Sequence, residues 1–188
     1  MEVLAPPPTY TILESTNVDL LTPFPIREAK RVFGWMHAHK SVIETDQSAK
    51  SPEEFEAFFT HLIPNLQSFA VIDKHNTLKM NHEAPLIGMI AFEPQSIWNG
   101  WLHVASTRKA WGSGLFEEGT RKAIDHIFAN NPELRRMSAI VLQNNYPARG
   151  LARRLGFVNE GTFEDWVTQK GEPKHVVQYG MTKRRWLK

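Results

Sequence analysis

No cysteine occurs in the 188-residue chain, so disulfides, thiolate nucleophiles and thiolate metal sites are excluded. A covalent cysteine intermediate is excluded with them. No apolar run approaches the ~20 residues needed to span a bilayer. The opening residues, Met1 to Ala5 followed by Pro6-Pro7-Pro8, lack the basic and apolar regions of a secretory signal. These absences point to a soluble, cytoplasmic protein without a membrane partner. A charge excess is also missing. Against 22 Lys+Arg stand 20 Asp+Glu, a net charge of +2, which disfavours a general nucleic-acid binder. Two nucleotide-binding signatures are absent as well. There is no Gly-x-x-x-x-Gly-Lys-Ser/Thr, and Gly112-x-Gly114 lacks a third glycine because Glu117 stands in its place.

What is present reads as one globular domain over residues 1–188, with residues 1–8 as a loose leader rich in proline. Thr9 to Leu13 has the content of a short strand. Ile26, Ala29, Val32, Phe33 and Met36 recur at helical spacing between Pro25 and Lys40. Ser51-Pro52-Glu53-Glu54 opens a second helix with an N-cap serine and a proline at the first helical position. Apolar runs at 69–73 and 86–92 and a strand at 101–106 follow, with Lys74 to Glu83 as a hairpin loop. A helix over 113–130, a buried strand over 138–142, a short helix through Ala148 and Leu155, and closing strands at 161–169 and 174–182 complete the chain. This order predicts an α/β or α+β fold with a mixed sheet flanked by helices.

The chemistry concentrates between Trp101 and Phe157. Thr107 to Leu115 joins a strand to a helix and carries Gly112 and Gly114. Glycines there let the backbone approach a ligand, and the first helical N–H groups favour an anion such as pyrophosphate. Arg108 and Lys109 add positive charge. After the buried strand comes Asn144-Asn145-Tyr146-Pro147-Ala148, then Leu155-Gly156-Phe157 and Glu160-Gly161.

These two blocks resemble the GNAT acetyltransferase superfamily, most closely its RimJ/RimL-like branch, which acetylates ribosomal-protein N-termini. The first block is Trp111-Gly112-Ser113-Gly114-Leu115-Phe116-Glu117-Glu118-Gly119. The likeness is good over about 85–188 and loose before that. It implies a mostly antiparallel sheet in which one parallel strand pair, here 101–106 and 138–142, splays to receive the arm of acetyl-CoA. It further implies that Arg108, Lys109, Trp111, Gly112, Ser113 and Gly114 hold the pyrophosphate and that Asn145 contacts the arm. Backbone groups at Val104 and Ala105 would polarise the thioester carbonyl. The implied activity is acetyl transfer to a primary amine in a ternary complex.

The resemblance breaks at the proton-transfer positions. Trp101 stands where the branch often has a glutamate base, and His103, two residues on, shares that strand face. An imidazole suits that role, and an ordinary exposed strand histidine is the plain alternative. The family's serine is Ala148 and the tyrosine of other members is Ala152, which leaves Tyr146 as the nearest hydroxyl. Phe116 occupies a position where a small residue is usual, so its ring either crowds the phosphates or faces the core.

Other features carry less. His37 and His39, two apart on a helix, face different ways and argue against a metal site. Trp98 and Trp101 are candidates for the mouth of the acceptor site, and Asp165, Trp166 and His175 border the acceptor side by resemblance. The basic tail, Lys183 to Lys188, reads as a solvated end, with a nucleic-acid contact as the minor reading. The expectation is an acetyl-CoA-dependent N-acetyltransferase without a metal, acting as a monomer or homodimer. The acceptor classes left open are a protein N-terminus, a lysine, a polyamine, an aminoglycoside or another small amine. The alternative is a catalytically silent GNAT domain that binds CoA or a protein partner.

Overall fold

The computed structural model describes residues 9–40, 45–46, 48–76 and 85–188. The proposed leader therefore lies outside the described residues, as does most of the loop expected between Lys74 and Glu83. The strands are β1 (Thr11–Glu14), β2 (Val18–Thr22), β3 (Gln67–Asp73), β4 (Leu86–Pro94), β5 (Asn99–Ser106), β6 (Arg136–Leu142), β7 (Val158–Gln169) and β8 (Glu172–Thr182). The helices are α1 (Ala29–Ala38), α2 (Pro52–Leu62), α3 (Leu115–Asn130), α4 (Tyr146–Arg154) and α5 (Lys183–Trp186). All eight strands form one sheet in the order β1-β2-β3-β4-β5-β6-β8-β7. Among the described residues β5 and β6 are the one parallel pair; the other neighbours are antiparallel.

Strand alternation sends successive side chains to opposite faces and so builds two apolar layers. Val18, Leu20, Phe69, Val71, Ile90 and Phe92 pack against Ile124, Ile127 and Phe128 of α3. Ala70, Leu86 and Met89 face the other way, against Val32 and Phe33 of α1 and Phe55 and Phe59 of α2. Helix α2 starts where the sequence places it, with Ser51 Oγ accepting the Glu54 N–H at 3.1 Å.

Two expectations need correction. Strand β2 is absent from the sequence reading, which passes from one strand directly to the helices. Val18 and Leu20 alternate inward with no exposure, but the run is five residues long and stops before Pro23, too short a signal to stand out. The basic tail is a solvated end only in part: Arg184, Arg185, Leu187 and Lys188 are exposed, but Lys183 and Trp186 are held. Lys183 Nζ donates to the carbonyls of Phe128, Asn131 and Pro132 at 2.8, 3.2 and 3.3 Å. It thereby serves the orphan acceptors at the end of α3. Trp186 Nε1 donates to Asp125 at 2.7 Å.

Candidate active site

Strands β5 and β6 pair only at Asn99–Arg136, Gly100–Met137 and Trp101–Ser138. Past those positions they part, while each keeps its outer partner. β5 stays paired with β4 as far as Ser106, and β6 with β8 as far as Leu142. Each strand thus turns one unpaired backbone edge into a wedge-shaped gap. In the gap lie two hollows of about 200 and 600 Å³. They share Met36, Val104, Ala105, Asn145, Ala148 and Leu151 as walls.

The smaller hollow opens on the turn between β5 and α3. Gly112 and Gly114 have φ of +72° and +82°, and a Cβ at either would meet nothing within 4 Å. Left-handed φ demands glycine there, and the empty space above leaves the backbone accessible. Gly114 is the N-cap of α3, and among the described residues the amides of Gly112, Gly114, Phe116 and Glu117 have no acceptor. Those N–H groups sit at the positive end of the 16-residue helix α3. The Ser113 hydroxyl is spent inside the turn, donating to Ala110 O at 2.9 Å and accepting from the Leu115 N–H at 3.3 Å. Trp111 is braced by the His39 ring, 4.8 Å away. Arg108 and Lys109 occupy the preceding 3-10 turn, exposed.

Glu117 lines the same hollow, where a bare carboxylate would repel an anion. It is instead held by Arg154 at 2.8 Å and Arg121 at 2.9 Å. Burial pushes its carboxyl up, but the Arg154 and Arg121 guanidiniums outweigh that and keep it below the ordinary glutamate value. Phe116 faces the core: it is 5% exposed, and its ring covers Gly88 of β4 so closely that a Cβ there would collide with it.

Asn145 caps α4, its Oδ1 accepting the Ala148 N–H at 3.2 Å, and it lines both hollows. Tyr146 follows it, 69% exposed, beneath the Arg149 guanidinium at 5.7 Å. Its ring borders the smaller hollow.

His103 lines the larger hollow together with Glu93. The register pairs Glu93 with Trp101 and Ala91 with His103, so all four share one sheet face. His103 Nε2 lies 2.9 Å from Glu93 Oε2, and Gln95 Nε2 donates to Glu93 Oε1 at 3.0 Å. An ionised carboxylate only accepts, so His103 Nε2 carries the proton in this bond. Its Nδ1 then keeps a free lone pair in the neutral ring. Glu93 therefore stands opposite Trp101, on the neighbouring strand.

The profile of the acetyltransferase (GNAT) domain matches residues 20–158. The chain belongs to the GNAT acetyltransferase family. As a member it is an acyltransferase of the N-acetyltransferase kind. It is similar over 95% of its length to a putative ribosomal N-acetyltransferase of Bacillus subtilis (strain 168), 22% identical across 92% of that protein. Ribosomal-protein-S5-alanine acetyltransferase from Vibrio fischeri has the same fold, with a TM-score of 0.73 at 17% identity over 94% of this chain and 98% of that one. So does Mycobacterium smegmatis RimJ in complex with CoA-disulfide, with a TM-score of 0.72 at 16% identity over 91% and 84%.

Within this GNAT domain, Val104, Ala105, Trp111, Gly112, Gly114, Asn145 and Tyr146 come together around the smaller hollow, and His103 borders the larger one. Arg108, Lys109 and Ser113 border neither. Trp98 and Trp101 also stay clear of both; Trp98 lies under Arg135 at 5.8 Å. Asp165 and His175 bond each other at a bulge in β7, the Asp165 N–H donating to His175 Nδ1 at 3.0 Å. Their neighbours Val167 and Val176 are the ones that line the larger hollow. Glu93, Met36, Glu117 and Arg154 are among the lining residues to which the sequence reading gave no site role. Among the described residues no three His, Asp or Glu side chains form a metal-binding group, and no helix is long and apolar enough to cross a membrane.

Proposed function

We propose that this chain, as one domain over residues 1–188, is an N-acetyltransferase that draws its acetyl group from acetyl-CoA and passes it directly to a primary amine. The observation that carries this reading is the gap between β5 and β6, which ends on a glycine turn with left-handed φ and amides that lack acceptors. A pyrophosphate suits that turn, because the space above Gly112 and Gly114 is open and the nearby Glu117 is already neutralised by two arginines. The amides of Gly112, Gly114, Phe116 and Glu117 would hold the phosphates, with Arg108 and Lys109 contributing long-range attraction. Trp111 and the Ser113 hydroxyl keep the turn in shape. Asn145 and the open edge of β5 at Val104 and Ala105 would receive the arm, and that edge also supplies fixed dipoles for the carbonyl.

When bound, acetyl-CoA supplies a thioester carbonyl whose C–S bond breaks as the amine forms its C–N bond. The chain's own part is to hold, orient and move protons. The arriving amine is protonated near neutral pH, and His103 Nδ1 is the group that takes its proton, with Glu93 fixing the tautomer and facing the resulting charge. Tyr146 Oη is the hydroxyl available to return a proton to the departing sulfur. The acceptor amine enters from the α1–α2 face, on which His103 and Glu93 lie.

His103→Gln tests the assignment. General-base loss of this kind costs about 10²–10⁴ in rate. The expected result is a fall of that size in kcat/KM with CoA affinity unchanged. Unchanged turnover would remove His103 from the mechanism, and CoA binding without transfer to any amine would favour the silent alternative.

A further inference from the structure

The acceptor side of the gap has a chemical character of its own. Around the larger hollow α2 contributes Phe55, Phe58, Phe59 and Leu62, and β4, β5 and β6 contribute Ala91, Leu102 and Ile140 in turn. Among the described lining residues Glu93 is the single carboxylate, and no lysine or arginine is present. The only other polar side chains are His103, Thr45 and Asn145. Phe58 is 56% exposed and Ile140 36%, so the apolar wall continues to the mouth. The volume, about 600 Å³, lies within the range of small-molecule sites, which pair apolar walls with a few placed polar groups.

Resting on the transfer reading above, we infer that the acceptor is a singly charged primary amine carried on an apolar body of aromatic size. A polyamine or aminoglycoside brings several ammonium groups, each of which loses hydration on entering an apolar cleft unless a carboxylate meets it. The described walls of this cleft offer one, and His103 already shares it. A single ammonium near Glu93 and His103 satisfies that pair, and the rest of the molecule gains by leaving water for the phenylalanine wall. A short polar peptide N-terminus such as Ser or Ala would leave the same wall uncovered.

The test compares phenethylamine and tryptamine with spermidine, kanamycin and a Ser-Ala peptide as acceptors, using wild-type protein and Phe58→Glu. Phe58 is exposed, so the substitution spares the core, and thermal unfolding verifies that. Two readouts run together: kcat/KM for acetyl transfer, and calorimetric binding of each amine to the CoA-saturated protein. The inference expects the arylalkylamines to exceed spermidine at least tenfold in both. It expects Phe58→Glu to remove that advantage and leave CoA affinity within twofold of wild type. Preference for spermidine, kanamycin or the peptide, or arylalkylamine binding indifferent to Phe58→Glu, overturns the inference while leaving the transferase reading in place. CoA binding with no amine either bound or acetylated overturns both. Arylalkylamine binding sensitive to Phe58→Glu, but without transfer, supports the pocket assignment and overturns only the catalytic reading.

Discussion

Three glycines allow the cost of a backbone conformation to be separated from the loss of a ligand contact. Gly112, Gly114 and Gly171 have φ of +72°, +82° and +75°, and a Cβ at each would meet nothing within 4 Å. Alanine at any of the three therefore introduces no clash, only the cost of holding an L-residue in the left-handed region, about 1–2 kcal/mol. For a chain of this size that corresponds to a loss of about 2–8 °C in Tm. All three variants should lose stability to a similar degree. Their CoA binding should differ. Gly171 lies in the β7–β8 turn, where its N–H is taken by Asp46, so Gly171→Ala should bind CoA as wild type does. At Gly112 and Gly114 the added Cβ also enters the open space in which the phosphates would lie, and making room for them costs a further ~1–2 kcal/mol, which weakens CoA by about 5- to 30-fold. Differential scanning calorimetry and titration calorimetry on the four proteins read both quantities. Equal CoA affinities across the set, with the Tm losses present, would refute the placement of the pyrophosphate on this turn.

Other consequences follow from residues outside the cleft. Lys183→Met leaves the carbonyls of Phe128, Asn131 and Pro132 without their donor, which should cost about 1–3 kcal/mol, seen as a lower urea midpoint. Glu118 joins α3 to the β1–β2 turn through Asn17 N and Nδ2 and Ser15 Oγ at 2.8, 2.9 and 2.7 Å. Burial pushes its carboxyl up, yet these donors outweigh that and hold it below the ordinary value. A depressed carboxylate contributes stability above its unfolded pKa, about 4.3, and loses it as pH falls through the lower folded value. Unfolding midpoints followed downward from pH 6 should therefore fall for wild type. Glu118→Gln should be less stable at pH 6 and show a shallower decline.

Much of the site was legible because its determinants are local. A helix that opens on Ser51-Pro52 and a turn that needs left-handed φ at Gly112 and Gly114 are each decided by a few adjacent residues. The resemblance of the two blocks to the GNAT family implied which strands splay. Glu93 was not legible. Its partnership with His103 depends on the register across β4 and β5, and a shift of one residue would have turned it to the opposite face. Strand β2 went unread for a related reason, since its five residues become a strand only between β1 and β3. The tail looked solvated because its charges are many, but Lys183 is captured by the end of a helix more than 50 residues away in sequence.

The proposed transfer has acetyl-CoA bound in the gap between β5 and β6 and giving its acetyl group to an amine placed beside His103. Its most direct test is a titration of the wild-type protein and Gly114→Ala with acetyl-CoA, followed by mass spectrometry of an amine acceptor incubated with each complex. The account predicts one acetyl-CoA per chain, weaker binding to Gly114→Ala, and N-acetylated amine from the wild-type protein. Wild-type protein that binds no acetyl-CoA at millimolar concentration, or binds it and acetylates no amine, would contradict it.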